Sequence, residues 1–162
     1  MVDLYLLTGS NLGNRLANLN RAYKMVNDQI GEILNCSSIY ETQAWGFVHK
    51  NSFLNQALYL QTEIDVFQVL DKIQLIEKEF GRKRRGTGYE ARIIDIDILF
   101  YNQSIITKEK LTVPHPLIQQ RRFTLLPLAE IAPDLIHPIL NNSIINLLNN
   151  CTDSLDVIKF QD

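Results

Sequence analysis

Apolar positions recur along this chain in two rhythms. Over residues 15–29, Leu16, Leu19, Ala22, Tyr23 and Val26 fall at three- and four-residue intervals, which predicts an amphipathic helix. Residues 65–80 repeat the pattern with Phe67, Leu70, Ile73, Ile76 and Phe80, and Gly81 suits the left-handed residue that ends a helix. Residues 4–8, 33–41, 54–62 and 93–101 read as strands, with Leu54, Leu58 and, less regularly, Ala57 as buried positions in the third. Residues 111–113 add an extended piece that Pro114 stops, and 123–131 and 143–148 predict short helices. The order β-α-β-β-α-β plus a tail predicts an α+β fold, a ferredoxin-like antiparallel sheet with helices packed on one face. No repeat, low-complexity tract or linker interrupts it, so residues 1–162 read as one domain.

The 93–101 strand breaks its own pattern. Ile94, Ile96, Ile98 and Phe100 are expected on one face, and Asp95 and Asp97 on the other with Ile93 and Leu99. At about 3.3 Å of rise per residue, the two aspartate α-carbons stand roughly 6.6 Å apart. Unpaired buried carboxylates are costly, so this pair must meet cations or water. Mg²⁺ fits, because it takes one or two carboxylates, several waters and substrate phosphates. An edge strand carrying charge against aggregation would explain Asp-x-Asp alone. The neighbours favour chemistry: Arg82, Lys83, Arg84 and Arg85 form a cationic run between Gly81 and Gly86, Gly88 follows, and Arg92 precedes Asp95 by three residues. Carboxylates that hold metal, beside a flexible loop of guanidiniums, make a parts list for phosphoryl transfer.

Composition narrows the partners. The chain has 162 residues, 46% hydrophobic and 21% charged, which is ordinary for a globular protein. A net charge of -2 gives no global field towards nucleic acid or an anionic membrane. The opening MVDLYLLTGSN lacks the basic start and longer apolar region of a signal peptide, and no run approaches the roughly 18 apolar residues of a membrane span, so a cytoplasmic location is expected. Cys36 and Cys151 match no metal or redox spacing and read as reduced structural thiols.

Smaller features add candidate contacts. GSNLG at 9–13 is neither a P-loop nor a dinucleotide fingerprint, and Asn11 there suits a turn or a helix cap. His115 lies between two prolines, placed rigidly enough to donate to phosphate. Arg121 and Arg122 precede Phe123, and Phe53 is followed by Asn55. Together they offer two ring faces and an edge-reading amide for a flat heterocycle.

Taken together, GSNLG, SSIYET at 37–42, FLNQA at 53–57, GRKRR at 81–85, ARIIDIDIL at 91–99, LTVPHP at 111–116 and RRFTLLPLAEIAP at 121–133 resemble the 6-hydroxymethyl-7,8-dihydropterin pyrophosphokinase family of folate biosynthesis. The resemblance implies a ferredoxin-like fold with three flexible loops around the site. It also implies transfer of pyrophosphate from ATP to the pterin hydroxymethyl group, releasing AMP. Asp95 and Asp97 would hold two Mg²⁺ ions, and Arg82 and Arg92 would act with them in catalysis. Gln74, Glu77, Arg84, Lys110, Thr112, His115 and Arg121 would contact ATP. Thr42, Gln43, Trp45, Phe53, Asn55, Tyr89 and Phe123 would bind the pterin, between Phe53 and Phe123. Partners are then the two small substrates, with no nucleic acid and no membrane, and a monomer is expected. Where the family often has Trp-Gly-Pro-Arg, this chain has Tyr89-Glu90-Ala91-Arg92, and Lys110 replaces a common arginine, losing a bidentate phosphate contact.

Two other classes compete. A ferredoxin-like binding module leaves the aspartates unexplained, and a two-metal nuclease lacks a wider basic face. The metal-site reading predicts that Asp97→Ala removes nearly all turnover in a product assay; near-normal turnover of that variant would contradict it.

Overall fold

The computed structural model describes residues 1–43, 51–81 and 93–161. Strand β1 (Val2–Ser10) is central because both its faces carry apolar residues: Leu4 and Leu6 enter one core, and Leu7 the other. It pairs antiparallel with β4 (Phe53–Thr62) along its whole length and with β5 (Asp95–Tyr101) on the other side. The outer edge of β4 takes two short strands, β2 (Glu32–Cys36) and β3 (Tyr40–Thr42), and β10 (Val157–Lys159) then pairs with β3. The single 33–41 strand predicted from sequence is therefore divided. At the break, the Ser37 amide donates to the Ala57 carbonyl and the Ala57 amide donates to Ser37 Oγ, both at 2.9 Å. The main-chain order β2/β3–β4–β1–β5 is the antiparallel ferredoxin-like arrangement.

Helices α1 (Arg15–Gln29) and α2 (Val66–Glu79) cover one face. Asn14 caps α1 through Ala17 N–H at 3.0 Å, and Asp65 with Gln68 forms a capping box on α2. Gly81, at φ +80, follows α2 in the left-handed region that suits glycine. The buried stripe of α2 is Val66, Val69, Ile73 and Ile76, whereas Phe67, expected inside, is 39% exposed. Val66 and Val69 lie at the same three- and four-residue intervals to Ile73 as the predicted stripe, so spacing alone did not choose between the two faces.

The second face is also covered, contrary to the one-sided packing expected. Leu125, Leu128 and Ala129 of α3 (Arg122–Ile131) and Ile144 and Leu147 of α4 (Ile144–Asn149) pack on Leu7, Ala57, Leu99 and Phe100. Phe100 was expected beside Ile94, Ile96 and Ile98. Instead, Leu6 pairs with Ile98 and Tyr5 with Phe100, so Leu99 is an extra, bulged residue that turns Phe100 into the second core. The remaining strands form hairpins, β6 (Ile106–Lys108) with β7 (Leu111–Val113) and β8 (Ile136–His137) with β9 (Asn142–Ser143), and a short 3-10 turn spans Ile118–Gln120. No helix among the described residues is long and apolar enough to cross a membrane.

One polar anchor fastens α3 to the sheet. The Glu130 carboxylate accepts from Tyr40 OH at 2.6 Å, Ser38 Oγ at 2.7 Å and Ser38 N–H at 3.1 Å. Burial raises the Glu130 pKa, but these bonds and the Lys159 charge outweigh it and hold the carboxyl below its ordinary 4.5. Burial, then the bond to Glu130, pushes the Tyr40 hydroxyl above its ordinary 10. A depressed carboxyl pKa stabilises the fold above the unfolded value and ceases to do so as pH falls through the folded one. Because Glu130 is solvent-exposed, screening leaves Glu130→Gln a cost of about 0.5–1 kcal/mol at pH 7. In urea unfolding the difference from the parent should shrink as pH falls below 4.5 and vanish once it passes the lower, folded value. Equal stabilities at pH 7 would contradict this anchoring role.

Candidate active site

Side chains directly opposite one another in an antiparallel pair share a face. Register therefore aligns a row across four strands: Tyr40 with Asn55, Asn55 with Gly9, and Gly9 with Asp95. All lie on the α3 side of the sheet, the side to which Tyr40 reaches Glu130. Asn55 is 4% exposed, and with two strand spacings its α-carbon stands roughly 10 Å from that of Asp95. Between them Gly9 offers no side chain. A Cβ there would lie 2.6 Å from Asn55 Oδ1, so glycine is what allows the amide its place.

Asp95 and Asp97 are both half-buried on this face, opposite the side where Ile94, Ile96 and Ile98 join the core under α1 and α2. Two carboxylates at i and i+2 are a donor set suited to Mg²⁺, which completes its shell with water and phosphate oxygens. Among the described residues no group of three or more His, Cys, Asp or Glu assembles.

The segment after β7 runs along the outer side of β5, where His115 N–H donates to the Leu99 carbonyl at 3.1 Å. The bulge that turns Phe100 inward thus also supplies the acceptor that places His115. Its Nδ1 accepts from Leu117 N–H at 3.1 Å, which leaves the neutral ring with Nε2–H as its donor. Burial, and then the Arg121 charge, lowers its pKa to about 4 against an opposing pull from Asp95. His115, Arg121 and Asp95 thus share one electrostatic neighbourhood, and at neutral pH the Nε2–H of His115 is a hydrogen-bond donor that carries no net charge. Arg121 is buried, and its guanidinium carbon lies 5.4 Å from the Phe123 ring centroid, within cation–π range. Its sequence neighbour Arg122 turns away, donating to the Asp153 and Cys151 carbonyls at 3.1 and 3.0 Å, so it anchors the tail.

On the other flank, Thr42 and Phe53 are the last paired residues of β3 and β4. Thr42 is 4% exposed, and its hydroxyl has no hydrogen-bond partner among the described residues. Gln43 follows it on the surface. Lys110 and Thr112 are exposed on the β6–β7 hairpin. Gln74 is exposed and Glu77 buried on α2, which leaves the sheet between that helix and the two aspartates. Trp45, Arg82, Arg84, Tyr89 and Arg92 lie outside the described residues.

Sequence reasoning missed two positions in this region. Gly9 gave no signal beyond its place in GSNLG, since its role depends on which strands flank β1. Asn18 also went unnoticed: its Nδ2 donates to Ser10 Oγ at 3.1 Å, the Leu12 carbonyl at 2.9 Å and the Ile93 carbonyl at 3.3 Å. It thereby ties the GSNLG turn to the residue two positions before Asp95.

The family model described as 7,8-dihydro-6-hydroxymethylpterin-pyrophosphokinase (HPPK) matches residues 5–133. The chain is 42% identical over 139 residues to the 2-amino-4-hydroxy-6-hydroxymethyldihydropteridine pyrophosphokinase of Aquifex aeolicus, covering 86% of each chain. It is 40% identical over 141 residues to the protein of that name from Porphyromonas gingivalis, covering 85% of this chain and 95% of the relative. Among solved structures, wild-type Plasmodium falciparum HPPK-DHPS with SDX-DHP superimposes at a TM-score of 0.75 and 21% identity over 92% of this chain, which spans 43% of that larger chain. The structural likeness bears on the fold, and the sequence matches carry the rest: this chain belongs to the 7,8-dihydro-6-hydroxymethylpterin-pyrophosphokinase family.

Proposed function

We propose that this protein is an ATP-dependent diphosphotransferase that moves pyrophosphate from ATP to the hydroxymethyl group of 6-hydroxymethyl-7,8-dihydropterin, releasing AMP, in folate biosynthesis. The observation that carries the reading is the Asn55–Gly9–Asp95 row, which sets a buried amide and a half-buried carboxylate on one face across a residue with no side chain. Family membership supplies the substrate class, and this row offers one end for a heterocycle and the other for charged phosphates.

In this reading the pterin lies by Asn55, Thr42 and Gln43 with Phe53 and Phe123 on its faces, and Trp45 and Tyr89 complete the pocket. The Thr42 hydroxyl, which has no hydrogen-bond partner among the described residues, supports a ligand there, because a buried polar group without a partner costs about 1–3 kcal/mol. Asp95 and Asp97 would hold two Mg²⁺ ions, whose chemistry when bound is to balance phosphate charge. His115 donates from Nε2–H to a phosphate oxygen, and Arg121 adds a buried positive charge beside it. Arg84, Lys110 and Thr112 would complete the ATP side, and Gln74 and Glu77, across the sheet on α2, would meet ATP only where it passes the β5 edge. Arg82 and Arg92 would stabilise charge as the pterin hydroxyl attacks the β-phosphorus in line. Positioning and electrostatics carry the step, without a strong general base.

The test is a nucleotide product assay with ATP, Mg²⁺ and 6-hydroxymethyl-7,8-dihydropterin. AMP formed only when the pterin is present is the expected result. ADP would mean attack at the γ-phosphorus and overturn the geometry, and no nucleotide product at all would overturn the activity.

A further inference from the structure

We infer that Arg15, the first residue of α1, is a positioning residue for the heterocycle end of the site, an inference that rests on the function proposed above. Its Nη1 carries two protons, and both are used. One goes to Glu41 Oε2 at 2.6 Å and the other to the Ser52 carbonyl at 2.9 Å. Glu41 immediately precedes Thr42, and Ser52 immediately precedes Phe53. Thr42 and Phe53 are the terminal pair of the β3–β4 ladder, so one nitrogen holds the two strands at their last rung.

The grip comes from behind. Glu41 pairs with Leu54, whose side chain joins the core under α1, so the Glu41 carboxylate is on the α1 face. Thr42 and Phe53 point to the opposite face, with Asn55. Arg15 touches none of the residues proposed to meet substrate and acts through Glu41 and Ser52. The tail contributes as well. Phe160 N–H donates to the Ile39 carbonyl at 2.8 Å, and its ring centroid is 5.9 Å from the Arg15 guanidinium carbon. This junction therefore draws on a part of the chain beyond the residues that the family model matches.

Helix formation does not explain a cation at this place. The first turn of a helix favours negative charge, and α1 has no acidic residue there to offset Arg15. Global stability does not explain it either, since the paired side chains are 26% and 38% exposed and such pairs add little. What remains is local: keeping the Thr42–Phe53 rung closed so that the ring and hydroxyl are presented together.

The test compares the parent, Arg15→Ala and Arg15→Lys in the AMP-forming assay and in thermal unfolding. The expected result for Arg15→Ala is a pterin KM raised about five- to tenfold, with ATP KM within about twofold and Tm nearly unchanged. Arg15→Lys, which keeps the charge and multiple N–H donors, should recover much of the pterin KM. An unchanged pterin KM in Arg15→Ala would overturn the inference, as would equal rises in both KM values with a large fall in Tm. If the parent itself makes no AMP, the proposed function fails first and takes this role with it; a working parent with an indifferent Arg15→Ala variant sinks the role alone.

Discussion

The site depends on a missing side chain. Strand β1 crosses the middle of the sheet, and at Gly9 it separates the Asn55 amide from the Asp95 carboxylate. Any Cβ at that crossing would lie 2.6 Å from Asn55 Oδ1. A central strand with a bare position lets two chemically unlike groups share one face. Elsewhere on that face Leu7, Ala57 and Leu99 are sealed by α3 and α4. The sheet therefore has an apolar half that holds the molecule together and a polar half available to ligands.

Each flank of the polar half is fixed by something remote from it. The bulge at Leu99 sends Phe100 into the second core and presents the carbonyl that receives His115 N–H. Arg122 and Arg121, adjacent in sequence, divide their work: the first binds the tail and the second is buried beside Phe123. Glu130 ties α3 to Tyr40, which pairs with Asn55. The packing that stabilises α3 thus also sets the spacing from Phe123 at its start to the amide across the sheet.

Much of this was legible in the sequence because it depends on local periodicity. The bounds of α1 follow from its apolar intervals, and the shared face of Asp95 and Asp97 follows from the two-residue repeat of a strand. Features that depend on partners were not legible. Phe67 and Val66 both satisfy a helical interval, and only the sheet beneath α2 decides which is buried. Phe100 satisfies the alternation until the bulge displaces it. The covering of the second face could not be read from two short apolar patches in the tail, because their destination is set by the odd positions of β1 and β4. Gly9 and Arg15 are legible only once register is known.

Gly9→Ala tests the central claim most directly, with pterin affinity read by fluorescence titration and folding by circular dichroism. The strand backbone tolerates alanine, and the side chain that must yield is Asn55, whose amide can rotate away. The predicted result is a folded protein whose pterin affinity drops about tenfold or more while ATP binding in Mg²⁺ is retained, as expected when a buried hydrogen-bonding group is displaced. Unchanged pterin affinity in a folded Gly9→Ala protein would contradict the account, since the amide would then owe nothing to the bare position beside it.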